Sequence, residues 1–148
     1  MSEVVEINRQ RGFSLEEAEA LLPLIFRLTE EADREMKRLV QCLENLPDKK
    51  SDRALEVEGQ VDGLIECWQR KMSRLGIQPK GLWLADFDNG YGYWCWKYPE
   101  TAIRHYHGYQ DGFSGRRQIV SNSTELEEKQ HANRNCTNQS HPWGLQGE

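Results

Sequence analysis

The sequence predicts an α+β fold: a long antiparallel helical hairpin followed by a small three-stranded antiparallel β-meander, with a disordered C-terminal tail. Three observations carry that prediction. Leu15, Ala18, Leu22, Ile25, Thr29, Ala32, Met36, Leu39, Leu43 and Leu46 recur at alternating spacings of 3 and 4, and all but Thr29 are apolar. This is the seam of a helix that lies lengthwise on another. A second seam follows a short turn: Ala54, Val57, Val61, Leu64, Trp68, Lys71 and Leu75. Beyond it, residues 82–87, 93–98 and 102–107 are short runs of strand character separated by turn signals.

Bulk properties set the frame. A chain of 148 residues with 37% apolar residues fits one domain with a modest core. That domain is expected over residues 13–120, between a flexible N-terminus at 1–12 and a polar, disordered tail at 121–148 that has almost nothing to bury. The net charge of −5 argues against a nucleic-acid binder, which is usually basic. No long apolar run occurs, and no apolar segment follows a basic start, so the expected location is cytoplasmic, without export or a membrane span. Cys42, Cys67, Cys95 and Cys136 have no Cys-x-x-Cys spacing and read as reduced thiols, most of them simply small buried side chains.

Each element has its own signals. Ser14 is an N-cap, and Glu17 stands three residues on to reach back to its amide. Glu16, Glu17 and Glu19 put negative charge where the helix dipole favours it. Pro23 lies too deep for a first-turn proline, so a kink is expected near residues 19–23 of one continuous helix. The segment Pro47-Asp48-Lys49-Lys50-Ser51 is a turn short enough to make the next helix, about residues 52–75, an antiparallel neighbour. Folding the seams together pairs Leu46 with Ala54, Leu39 with Val61, Ala32 with Trp68, and Thr29 with Lys71. The largest side chain thus meets a small one, and the two polar seam residues meet each other. Leu21, Leu24, Leu28, Val40, Leu55 and Ile65 fall off this seam, which suggests a homodimer through the helices as a four-helix bundle.

Gly76 and Pro79 stop the second helix. Asp88-Asn89-Gly90 and Pro99-Glu100 turn the chain between strands. A sheet this small needs cover on one face, and the start of the first helix can provide it. Residues 108–118 form a glycine-rich loop that ends in Arg116-Arg117.

At this point the residues resemble a known family. Phe13-Ser14-Leu15-Glu16-Glu17-Ala18, Leu21-Leu22-Pro23-Leu24, Asp86-Phe87, Cys95-Trp96-Lys97, Glu100, His107 and Gly112-Phe113-Ser114-Gly115-Arg116-Arg117 occur in an order similar to that of the bacterial domain of unknown function 2203 family. The resemblance spans about residues 13–119. The chain departs from it where Tyr106 replaces a Trp and Pro99 a Gly. The resemblance implies a small cytoplasmic bacterial protein and assigns no activity. It places His107 and the Gly-Phe-Ser-Gly-Arg-Arg segment within the family pattern.

Candidate chemistry concentrates near the end of the domain. His105 and His107 are two apart on a strand, so their rings share a face. With Cys95 or an Asp they could bind a transition metal; the plainer reading is a pair of packed, hydrogen-bonded histidines. His107, Asp111, Ser114, Arg116 and Arg117 could together hold an anion or small ligand, since glycines let amides approach and guanidinium forks suit phosphate or carboxylate. The plainer reading pairs those arginines with Asp111, Glu100 or helix acids. No cofactor is named by the residues, and no catalytic constellation stands out. The favoured function is a non-catalytic, oligomeric interaction or scaffold protein that binds a protein partner or small anion. The alternative is a small metal-binding protein or enzyme centred on His105 and His107.

Overall fold

The computed structural model describes residues 12–120; the tail at 121–148 and all of the expected flexible N-terminus except Gly12 lie outside the described residues. Helix α1 spans Leu15–Asn45 and α2 spans Asp52–Arg74. Five strands follow: β1 Gln78–Gly81, β2 Leu84–Asp88, β3 Gly92–Lys97, β4 His105–Gly108 and β5 Arg117–Gln118, with a one-turn 3-10 helix at Phe113–Gly115 before the last. They form one antiparallel sheet in chain order. The α+β hairpin-and-meander class therefore holds, with five strands where three were expected. No helix among the described residues is long and apolar enough to cross a membrane.

The helix ends form as their sequences dictate. The Glu17 amide donates to Ser14 Oγ at 3.0 Å, and the Ser14 amide donates to Glu17 Oε1 at 2.9 Å. Helix α1 then runs as one element through Pro23. Ser51 caps α2 by accepting from the Ala54 amide. Gly76, with φ of 82°, takes the left-handed conformation that ends the helix.

Ala18, Leu22, Ile25, Thr29, Ala32, Met36 and Leu39 are buried on α1, all from the expected seam. Ala54, Val57, Trp68 and Met72 are buried on α2, and Ala32 and Trp68 share the core. The pairing of Thr29 with Lys71 fails. Lys71 is exposed, and Thr29 instead accepts a buried hydrogen bond of 2.8 Å from Trp68 Nε1. The last turns of α2 meet the sheet as well as α1, so their buried face steps from Trp68 to Met72.

Trp68 also ties the helices to the sheet. Its ring meets Trp83 edge-on at 5.1 Å, and Trp83 Nε1 donates to Asp33 Oδ1 on α1 at 3.0 Å. Trp83 adopts φ of 54°, a conformation that costs an ordinary residue on the order of 1 kcal/mol and is held here by these contacts. It occupies the turn that divides the expected first strand at 82–87. The chain upstream of it, including Pro79, pairs as edge strand β1, where a missing amide is tolerated. The expected strand at 102–107 begins only at His105, and β5 is too short to show alternation.

Side-chain alternation then gives the sheet two different faces. Ala85, Phe87, Trp94, Trp96 and Tyr106 join the helices in the core, with Phe13 edge-on to Phe87 at 5.4 Å and Phe26 beside Trp96. The start of α1 covers the aromatic strands, as expected. Leu21, Leu28 and Ile65 pack against the same core, while Val40 and Leu55 stay exposed.

Trp68→Ala removes the side chain that contacts both layers and should cost about 3–5 kcal/mol in chemical denaturation. Thr29→Val should cost about 1 kcal/mol by leaving the indole N–H without its acceptor. A loss below about 1 kcal/mol for Trp68→Ala would contradict this packing.

Candidate metal centre

The face of the sheet turned away from the helices carries the polar residues. Pairing of β2 with β3 sets Asp86 opposite Cys95, and pairing of β3 with β4 sets Tyr93 opposite His107 and Cys95 opposite His105. Close approach of β3 and β4 depends on Gly92, where a Cβ would lie 2.5 Å from the His107 carbonyl oxygen. Asp86, Cys95 and His107 are 2%, 0% and 4% exposed. One carboxylate oxygen, the sulfur and one ring nitrogen all lie within 4.8 Å of one another.

The bonds around His107 define what this cluster lacks. Its Nδ1 lies 2.9 Å from the Gly108 carbonyl oxygen, and its Nε2 lies 3.1 Å from Asp86 Oδ2. The carbonyl can only accept, so Nδ1 carries the proton there. In the neutral ring this turns the Nε2 lone pair toward a carboxylate oxygen. Two lone pairs face each other unless a cation, either a second ring proton or a metal ion, stands between them. Lys80 Nζ reaches Asp86 Oδ2 at 3.3 Å from outside. Asp86 Oδ1 is buried with no hydrogen-bond partner among the described residues.

Burial, reinforced by the Asp86 carboxylate, pushes the Cys95 thiol up to about 12, although Arg116 pulls the other way. Cys95 is therefore a thiol, not a thiolate, at neutral pH when no metal is bound. Arg116 belongs to a second cluster beside it. Its guanidinium donates to both Glu100 oxygens, at 3.2 and 2.7 Å, and stacks over the Phe113 ring. Burial works to raise the Glu100 carboxyl, but the Arg116 bonds and the Lys97 amide overcome it and hold Glu100 below the usual carboxylate range. His105 Nδ1 lies 3.7 Å from Glu100 Oε2. Burial and the Arg116 charge together lower its tendency to protonate.

These positions sort the expected site residues. His105 and His107 share a face, as their spacing implied, but His107 joins Asp86 and Cys95 while His105 sits beside Glu100 and Arg116. The anion set is not gathered at one point. Asp111 Oδ2 accepts from the Gly108 amide within its own loop, Ser114 and Arg117 are exposed, and Arg116 is engaged by Glu100. The plainer reading of Arg116 as a partner of Glu100 is thus the observed one. Sequence reasoning passed over Asp86 and Lys80. Asp86 alternates with Ala85 and Phe87, a pattern that by itself marks no site; its place in the Asp86-Phe87 motif was the available signal.

Fold and site together define a small α+β protein with a buried Asp–Cys–His cluster on the sheet face opposite its helices. The chain belongs to the family of uncharacterized conserved proteins DUF2203, whose model matches residues 11–119. No curated protein and no solved structure matches it. Five polar residues from the motifs that carried the resemblance, Asp86, Cys95, Glu100, His107 and Arg116, come together in these two adjoining clusters.

The lowered Glu100 carboxyl makes a signed prediction. A carboxylate held below its unfolded value stabilises the fold above about pH 4.3, and that contribution is lost as pH falls through the folded value. Glu100→Gln should therefore melt below wild type at neutral pH, with the gap closing as the pH is taken down through the acid range and the Glu100 carboxylate protonates in the folded protein. A gap that does not change with pH, measured by thermal denaturation across this range, would contradict the Arg116–Glu100 account.

Proposed function

We propose that this is a small transition-metal-binding protein in which Asp86, Cys95 and His107 hold one zinc-class divalent ion. One observation supports this reading above the others: three different metal-ligating side chains, all at least nine-tenths buried, bring their donor atoms within 4.8 Å. Tetrahedral zinc with bonds of about 2.0–2.3 Å places its ligands roughly 3.3–3.8 Å apart, which this spacing allows with small rotamer changes. The Nδ1–H bond to Gly108 orients the ring as metal-bound imidazoles usually are, with the free nitrogen toward the ion. Binding would supply the cation that His107 and Asp86 face, give Asp86 Oδ1 a partner, and displace the Cys95 proton.

The three ligands leave one tetrahedral position, which water or a small anion would fill. The activity that follows is holding or sensing a metal, in a reducing compartment such as the cytoplasm that keeps Cys95 reduced. The anion-binding reading has less support, because Glu100 already occupies the Arg116 fork.

Full-length protein exposed to zinc and desalted should retain about one zinc per chain by elemental analysis. Cys95→Ser and His107→Ala should each lose it. Cobalt loading should give thiolate charge-transfer absorption that Cys95→Ser abolishes. Failure of the wild-type protein to retain either metal would contradict the proposal.

A second reading, self-association through the helices, keeps one observation in its favour: Val40 and Leu55 are 38% and 60% exposed on the hairpin. Sedimentation at tens of micromolar should show a dimer that Leu55→Glu weakens. A monomer throughout would end that reading.

A further inference from the structure

Lys80 stands out on the metal-centre face as a cation touching a buried carboxylate without being buried itself. Its side chain is 36% exposed, while that of Asp86 is 2% exposed. It comes from edge strand β1, at the register irregularity between Pro79 and Gly81. Its ammonium lies 3.3 Å from Asp86 Oδ2 and 4.1 Å from the centre of the Tyr93 ring. Tyr93 in turn lies against His107, with ring centres 5.4 Å apart, and donates from its hydroxyl to Gln78 Oε1. Lys80 and Tyr93 together thus cover the Asp86–His107 side of the cluster.

We infer that Lys80 is a stand-in cation for the metal, bound to Asp86 when the metal is absent and expelled to solvent when it binds. This rests on the metal reading above and adds how that site is regulated. Charge decides it. Lys80 Nζ and His107 Nε2 both lie against the same oxygen, Asp86 Oδ2, at 3.3 and 3.1 Å, so an ion held there by His107 and Asp86 would stand beside the ammonium. A divalent ion bound through the Cys95 thiolate and the Asp86 carboxylate is balanced by those two ligands alone. An ammonium left at Oδ2 would then be a surplus positive charge within bonding range of a dication, in a medium that screens poorly. The lysine has somewhere to go: its stem is flexible and its strand is at the sheet edge.

The arrangement also sets a threshold. An incoming ion must displace an existing ion pair, so a soft dication that gains a thiolate bond competes, and magnesium or calcium, which prefer oxygen ligands, do not.

The test is zinc titration of the full chain against a competing chelator. Lys80→Met keeps the stem, removes the charge, and should bind zinc at least tenfold more tightly than wild type. Lys80→Arg keeps the charge and should show no such gain. In the wild-type protein, mass-spectrometric amine labelling of Lys80 should be slow without zinc and faster with it, a readout that needs no variant to fold. Equal zinc affinity in wild type and Lys80→Met, or labelling that zinc does not change, would overturn this inference and leave the metal centre standing. Zinc binding by neither protein would overturn both.

Discussion

A sheet covered by helices on one face must still dispose of the other, and side-chain alternation couples the two. Phe87, Trp94 and Trp96 enter the core from the same strands that carry Asp86 and Cys95 outward. A slip of one residue between β2 and β3 would exchange these sets, putting a carboxylate into the helix-facing core and indoles onto the polar face. The aromatic packing therefore fixes the polar cluster. The residues proposed to hold metal need no separate positioning device beyond the register that buries the tryptophans.

The second face departs from ordinary sheet economy. An antiparallel sheet with one covered face usually gives its other face to water. Here that face buries an aspartate, a thiol and an imidazole under Lys80, Tyr93 and the 108–117 loop. Such a network is stabilising when complete and costly when one member goes unpaired. The Arg116–Glu100 pair, with the Lys97 amide on Glu100 and Phe113 beneath the guanidinium, is nearly complete. In the Asp86–His107 pair one carboxylate oxygen, Oδ1, is buried with no hydrogen-bond partner among the described residues. His105 Nδ1 beside Glu100 is likewise buried without a hydrogen-bond partner, so what sets the Asp86 cluster apart is three buried donor atoms within 4.8 Å of one another.

Much of the helical layer was legible in the sequence. The seam of α1 is long enough for its period to be unambiguous, and Ser14 with Glu17 marks its start. Ala32 and Trp68 share the core as the seams implied, but Thr29 meets Trp68 and not Lys71, where the sheet is a second neighbour that helix periodicity alone does not report. Strand number was less legible, since β1 contains Pro79 and β5 has only two residues. For the site, spacing placed His105 and His107 on one face, but only cross-strand pairing tells which neighbours each one meets. Asp86 was hidden because a polar residue between two apolar ones in a strand ordinarily points to water. The sequence sets Arg116 among the anion-binding candidates, with Asp111, Glu100 and helix acids as its plainer partners; the choice of Glu100, 16 residues away, is made by the fold and not by spacing.

X-ray absorption at the metal edge tests the central claim most directly, on full-length protein loaded with one equivalent of zinc. Capture by Asp86, Cys95 and His107 predicts one sulfur neighbour at about 2.3 Å among light-atom neighbours at about 2.0–2.2 Å, with imidazole scattering beyond them. A shell of oxygen and nitrogen alone would place the ion elsewhere on the molecule and contradict the account.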